Sequence, residues 1–283
     1  MKKYLLLPAL AFCLTAAAQD FDNEPTIELK KNDFRFTVGA RMMADVAYYH
    51  SDFTPLKSGG ALSDARIRTS FAYKDWYFYA DFGFGGGKFS QKNIFAQWSR
   101  TNLKGATNYV KAGYYNDPGS MARNTSLASY HFISRPGCTM ALGVGRELGI
   151  SYKIQNKSFF LNQGISTDHA YNEQAAGFDG IAVSGRWLYR PVNDARNTFH
   201  IGVNARFAHN GNGKVVNNVL QRTITLGQAM ETYVDGTQDL VSAELPWANN
   251  VINVGAEVLY KNPKFFARGE FLWKHVTKSR DSY

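Results

Sequence analysis

The amino-acid sequence predicts an all-β fold: an antiparallel β-barrel that crosses a membrane with its strands. Three observations predict it. Apolar and polar residues alternate over runs of about ten residues, longer than the usual soluble strand of about five or six and equal to the tilted run that crosses a bilayer. Mean hydropathy is −0.33 although 45% of residues are hydrophobic and 14% aromatic, as expected when an apolar outside and a polar inside are averaged. Beyond residue 18 no apolar run approaches the roughly 18 residues of a membrane helix. A soluble β-sandwich has a similar composition, so strand length is what separates the two.

The chain opens with basic Lys2 and Lys3, an apolar stretch from Tyr4 to Leu14, and Ala16, Ala17 and Ala18. This order predicts a secretory signal peptide, residues 1–18. Lipidation of Cys13 is disfavoured because bulky Phe12 precedes it. Cleavage after Ala18 leaves 30 Lys and Arg against 23 Asp and Glu, a net of +7, and one cysteine, Cys138, which rules out an intramolecular disulfide.

Residues 19–33 are polar and without period, predicting a loose segment that lies outside the wall or inside the pore. Residues 34–49 give the first strand, with Phe36, Val38, Ala40 and Met42 facing lipid and Arg35, Thr37 and Arg41 facing inward. A polar loop over 51–63 follows. Residues 64–85 form the clearest hairpin: Ile67, Thr69, Phe71, Trp76, Phe78 and Phe82 point outward, Arg66, Arg68, Tyr77, Tyr79 and Asp81 inward, around the Lys74-Asp75 turn. Strands at 93–99 and 108–115 follow a glycine turn at 85–87. Residues 116–136 lose the alternation and are long for a connection, which marks a functional loop folded inward, with Arg123, His131 and Arg135 available to a solute. Alternation returns at 146–155, 158–166, 180–189, 198–209, 251–260 and 265–275, with a turn over 190–195 and an irregular region over 210–250. The count is ten to twelve strands. A charged ending at 277–283 rather than an apolar strand predicts a barrel incomplete at its C-terminus.

Ala65-Arg66-Ile67-Arg68, Lys74-Asp75-Trp76-Tyr77-Phe78 and Asp81-Phe82, then Tyr109-Val110-Lys111-Ala112-Gly113-Tyr114 and Asp117-Pro118, resemble the phosphate-selective porin O and P family. That family has an R-x-R strand, a K-D-W turn, and a V-R-V-G-Q-F strand leading through K-E-P into a constriction loop. The resemblance covers residues 34–283 in strand order and is specific over 64–136. It implies an outer-membrane barrel of the porin type, assembled as a homotrimer among outer-membrane lipid and passing small anions such as phosphate. It further implies that Arg66, Arg68 and Lys111 face the lumen and that residues 116–136 form the constriction loop. Asn116 stands where the family often has lysine, a departure that bears on phosphate selectivity.

Parity adds Arg41, Arg35 and Lys153 to the inward cations. The substrate-binding set is therefore Arg41, Arg66, Arg68, Lys111, Arg123 and Arg135, forming a basic lining that attracts anions through charge-assisted hydrogen bonds. The competing reading pairs these cations with Asp45, Asp64 and Asp81 to brace the wall. Tyr48, Tyr49, Tyr73, Trp76, Tyr114 and Tyr115 are expected in interfacial girdles. No enzyme is expected: there is no H-E-x-x-H and no G-x-S-x-G, and the one pairing open to periodicity is Ser166 with His200. Gly85 to Lys88 lacks the phosphate-loop spacing, and the glycines from Gly143 to Gly149 miss the dinucleotide spacing by one residue. No cofactor, metal or nucleic-acid partner is expected, and Cys138 reads as inert. The predicted function is passive diffusion of small anions; the alternative is a structural or adhesive barrel that works through its loops.

Overall fold

The computed structural model describes residues 26–278, apart from 53, 131–132, 168–179, 212–213, 217–218 and 230–232. The predicted signal peptide, His131 and the last five residues lie outside the described residues.

Ten strands follow one another as antiparallel neighbours: β1 (Thr26–Lys31), β2 (Phe34–Ala47), β3 (Gly59–Tyr73), β4 (Trp76–Gly83), β5 (Ser90–Thr101), β6 (Thr107–Asn116), β7 (Arg146–Gln155), β8 (Phe159–Ser166), β9 (Ile181–Asn193) and β10 (Thr198–His209). Two short hairpins stand apart from the sheet, β11 (Lys214–Val216) with β12 (Val219–Gln221) and β13 (Ile224–Ala229) with β14 (Asp239–Leu245). Strand β15 (Ala248–Lys261) then pairs with β10, and β16 (Phe266–Lys278) completes a sheet of twelve. No ladder joins β1 to β16 among the described residues, so the sheet is not closed.

The sheet is all-β and antiparallel, as alternation requires. Two boundaries differ from the sequence reading. Residues 26–31 are not loose: they pair with residues 34–39 across a two-residue turn in which Asn32 takes φ 51°. Asn tolerates the left-handed region better than most residues, which permits so tight a turn. The predicted turn over 190–195 lies instead at 194–197, because β9 runs on through Pro191. That proline sits beyond the last β8 partner, at Tyr189, and within the register shift between Phe199 and Ile201 on β10, where its missing N–H breaks no ladder.

One end of the sheet carries only short turns, and Asx side chains build most of them. Oδ1 of Asn102, Asn156, Asp194 and Asn262 each accepts two backbone N–H groups within its own turn, at 2.7 to 3.0 Å. Each side chain substitutes for a backbone partner and fixes its hairpin's register locally. The opposite end carries the long connections.

Burial is inverted relative to a soluble sheet. On β7, Leu148, Ile150 and Tyr152 are exposed while Glu147 and Ser151 are buried; on β10, Ile201, Val203 and Phe207 are exposed while His200, Asn204 and Arg206 are buried. Apolar outside and polar inside is the arrangement that hydrocarbon surroundings stabilise and water does not. The inner face is identified by what touches it. Ser126 accepts a hydrogen bond from Arg41 on β2, and Glu270 on β16 accepts from the amides of Met121 and Ala122. Strands β2 and β16 lie near opposite edges of the sheet, so one segment reaches both only because the sheet curls around it.

Placing arginine at Ile150, 52% exposed on the outer face, is expected to lower unfolding free energy in lipid vesicles by about 2–4 kcal/mol, as read by urea titration of tryptophan fluorescence. An unchanged titration would mean that this face does not meet hydrocarbon.

A basic cavity on the inner face

The segment between β6 and β7 folds onto the inner face through two short helices, α1 (Met121–Asn124) and α2 (Gly137–Leu142). Ser120 caps α1 by accepting from Arg123 N, and the Glu270 carboxylate lies at its first two amides, 3.0 Å from each. Arg268 of β16 lies 3.9 Å over the ring of Tyr130. Side chains of the segment bind its own carbonyls: Asn124 donates to Asp117 O and Ser120 O, and Tyr130 OH to Ala122 O. These bonds supply the partners that an irregular backbone away from water needs.

Between this segment and the wall is a cavity of about 360 Å³. It is lined by all six cations the sequence singles out, Arg41, Arg66, Arg68, Lys111, Arg123 and Arg135, together with Arg146. Lys153 and Arg35 are not in its lining. The cations are held in three ways.

Arg41, Arg66 and Arg68 share two carboxylates. Arg41 Nε donates to Asp64 Oδ2 at 3.0 Å, Arg66 Nε to Asp64 Oδ1 at 2.7 Å and Arg66 Nη1 to Asp81 Oδ2 at 3.1 Å, while Arg68 Nε stands 3.9 Å from Asp81. The wall-bracing reading therefore describes these three correctly for Asp64 and Asp81. Asp45 takes no part in the brace and accepts from Tyr233 N. Three guanidinium groups on two carboxylates leave positive charge in excess.

Arg123 and Arg135 tie the segment together. Arg123 Nη2 donates to Met140 O at 3.0 Å; Arg135 donates through Nε to Ala122 O at 2.9 Å and through Nη2 to Thr125 O at 2.7 Å. Burial lowers both guanidinium pKa values from the ordinary arginine value, and Arg135 adds to the effect on Arg123. The same buried setting leaves Arg123 Nε without a hydrogen-bond partner.

Lys111 and Arg146 face the cavity with no ion pair to a carboxylate among the described residues. The Lys111 ammonium lies 4.6 Å from the Phe95 ring centroid and 4.9 Å from that of Tyr115; Arg146 Nε donates to Asn93 Oδ1 at 2.8 Å. Gly113 makes the first contact possible. It opposes Phe95 across the ladder at φ 139°, and a Cβ there would stand 2.3 Å from Ile94 O and 2.6 Å from Phe95 Cα. The space this leaves between Lys111 and Tyr115 is where the Phe95 ring lies.

Sequence reasoning missed Arg146. The inward phase of β7 is 147, 149 and 151, so Arg146 falls out of step at the strand's first residue, and only its place beside the inward segment distinguishes it. Tyr114 and Tyr115 are also corrected: both are buried, and Tyr115 lines the cavity rather than an outer girdle. Ser166 and His200 do not meet. Ser166 pairs through Ala182 to Ala208, eight residues from His200, or about 26 Å at roughly 3.3 Å per residue. Ser166 donates to Glu147, which also binds Arg206; His200 lies 2.9 Å from Glu257, which takes both terminal nitrogens of a fork from Arg186.

Glu270→Ala removes the acceptor for two amides of α1. Faster trypsin cleavage after Arg123 and Arg135 is expected in the folded protein, read by mass spectrometry of the fragments. Cleavage at the unaltered rate would show that β16 does not hold the segment.

Residues 36–282 match the family model of the phosphate-selective porin O and P. No curated protein matches the chain. The match spans nearly every strand of the inside-out sheet and the whole segment folded against its inner face: the protein belongs to the phosphate-selective porin O and P family of the outer membrane.

Proposed function

We propose that this porin passes small anions by diffusion through the basic cavity, without chemistry. The observation that carries the reading is convergence: cations from β2, β3, β6, β7 and the inward segment, scattered over residues 41 to 146, line one space. Low-dielectric walls concentrate the field of such a lining and raise the local anion concentration. Guanidinium groups offer paired N–H donors that replace the hydration of a phosphate oxygen.

The carboxylates are part of the mechanism. An anion must enter readily and also leave, so binding has to stay weak. Asp64 and Asp81 offset much of the charge of Arg41, Arg66 and Arg68, and the carbonyls of the inward segment occupy donors of Arg123 and Arg135. Lys111 and Arg146 then hold the positive charge least compensated by acids, and the reading assigns them the strongest pull on a passing anion. The homotrimer implied by the family resemblance, and phosphate as the favoured solute, belong to the same reading.

In planar bilayers under a potassium chloride gradient, the reversal potential is expected to report anion preference. Charge reversal in the pair Lys111→Glu and Arg146→Glu is expected to move it toward potassium, with a loss of conductance larger at low salt than at high salt because salt screens the field. Cation preference in the unaltered protein would overturn the reading. A silent membrane would favour the adhesive barrel instead.

A further inference from the structure

We propose that the cavity takes an anionic monosaccharide, a pyranose bearing a phosphate or carboxylate, in preference to a bare inorganic anion. The inference rests on the anion-channel reading and names the solute that the second wall of the same cavity fits.

That second wall is aromatic. Tyr77 and Tyr79 on β4, Phe95 on β5 and Tyr115 on β6 line the cavity across from the arginines of β2 and β3 and beside Lys111. The rings form one connected surface: Tyr79 stacks on Phe95 with centroids 5.3 Å apart and planes inclined by 23°, Tyr77 lies 6.2 Å from Phe95, and Tyr115 meets Phe95 edge to face at 6.3 Å. The face of an aromatic ring carries the negative lobe of its quadrupole. It therefore repels an inorganic anion and attracts polarised C–H groups. A passage for phosphate alone gains nothing from such a wall, whereas the C–H face of a pyranose lies against it.

The remaining lining fits the rest of the sugar. Asn93, Asn116, Asn124, Thr125 and Ser126 bring amides and hydroxyls into the cavity, donors and acceptors suited to sugar hydroxyls. The volume of about 360 Å³ falls at the lower end of the range for small-molecule sites, roughly 300–1,000 Å³, and exceeds what one phosphate fills. Lys111 stands where the two walls meet, its ammonium over Phe95 and Tyr115. A solute with an anionic group at one end and a C–H face at the other matches that order.

The test is blockade of chloride current through the full chain in planar bilayers, comparing glucose 6-phosphate, glucuronate, inorganic phosphate and glucose. Glucose 6-phosphate and glucuronate are expected to half-block at concentrations at least about threefold below phosphate, a ratio in keeping with one ring-face contact, and further below glucose. Tyr79→Leu and, separately, Phe95→Leu are expected to bring the ratio of glucose 6-phosphate to phosphate toward one. Phosphate blocking as well as the sugar phosphate, or a ratio that survives both variants, would overturn the proposal while leaving the anion channel intact. A reversal potential showing cation preference in the unaltered protein would instead overturn the channel reading and this proposal with it.

Discussion

The structure depends on one constraint: with apolar side chains turned outward, every charge turned inward must be satisfied inside the curl of the sheet. An uncompensated charge away from water costs several kcal/mol. The protein answers with shared acids. Asp64 serves Arg41 and Arg66, Asp81 serves Arg66 and Arg68, Glu147 serves Arg206 and Ser166, and Glu257 serves Arg186 and His200. Each carboxylate joins side chains from different strands, so the polar interior fastens the wall as an apolar core fastens a soluble sheet. Arginine suits the task because its planar fork reaches two acceptors at once.

The same constraint explains the segment between β6 and β7. Its amides end on Glu270, its hydroxyl Ser126 on Arg41, and its carbonyls on its own arginines and Tyr130. It thereby links β2 to β16 across the interior, where no ladder does. The cavity is what remains between this crosspiece and the wall, which is why its lining mixes wall cations with backbone-bound arginines from the segment.

Much of this was legible in the sequence because alternation records both strand and side. The outward apolar positions of β3, β4 and β7 and the inward Arg41, Arg66, Arg68 and Lys111 follow directly from parity. What stayed hidden depends on partners distant in the chain. Nothing near Asp64 says that it, rather than Asp45, neutralises Arg41; register across the β2–β3 ladder decides that. Pro191 reads as a turn until the length of β8 shows that its N–H has no neighbour to serve. Arg146 breaks parity, and Tyr115 reads as a girdle residue because alternation gives a side of the sheet but not depth within a curl. Strand β1 was missed because all six of its residues are exposed, so no alternation in environment shaped its sequence.

The Asx-headed turns have a consequence for the order of assembly. A hairpin whose turn is fixed by a side chain within it forms from residues close in sequence, with little loop-closure entropy to overcome. The contacts of the inward segment span far more of the chain: 85 residues from Arg41 to Ser126 and 149 from Met121 to Glu270. Hairpins therefore form early and the crosspiece docks late. Until it does, the arginines of β2 and β3 remain hydrated, and the passage acquires its selectivity only in the last step of folding.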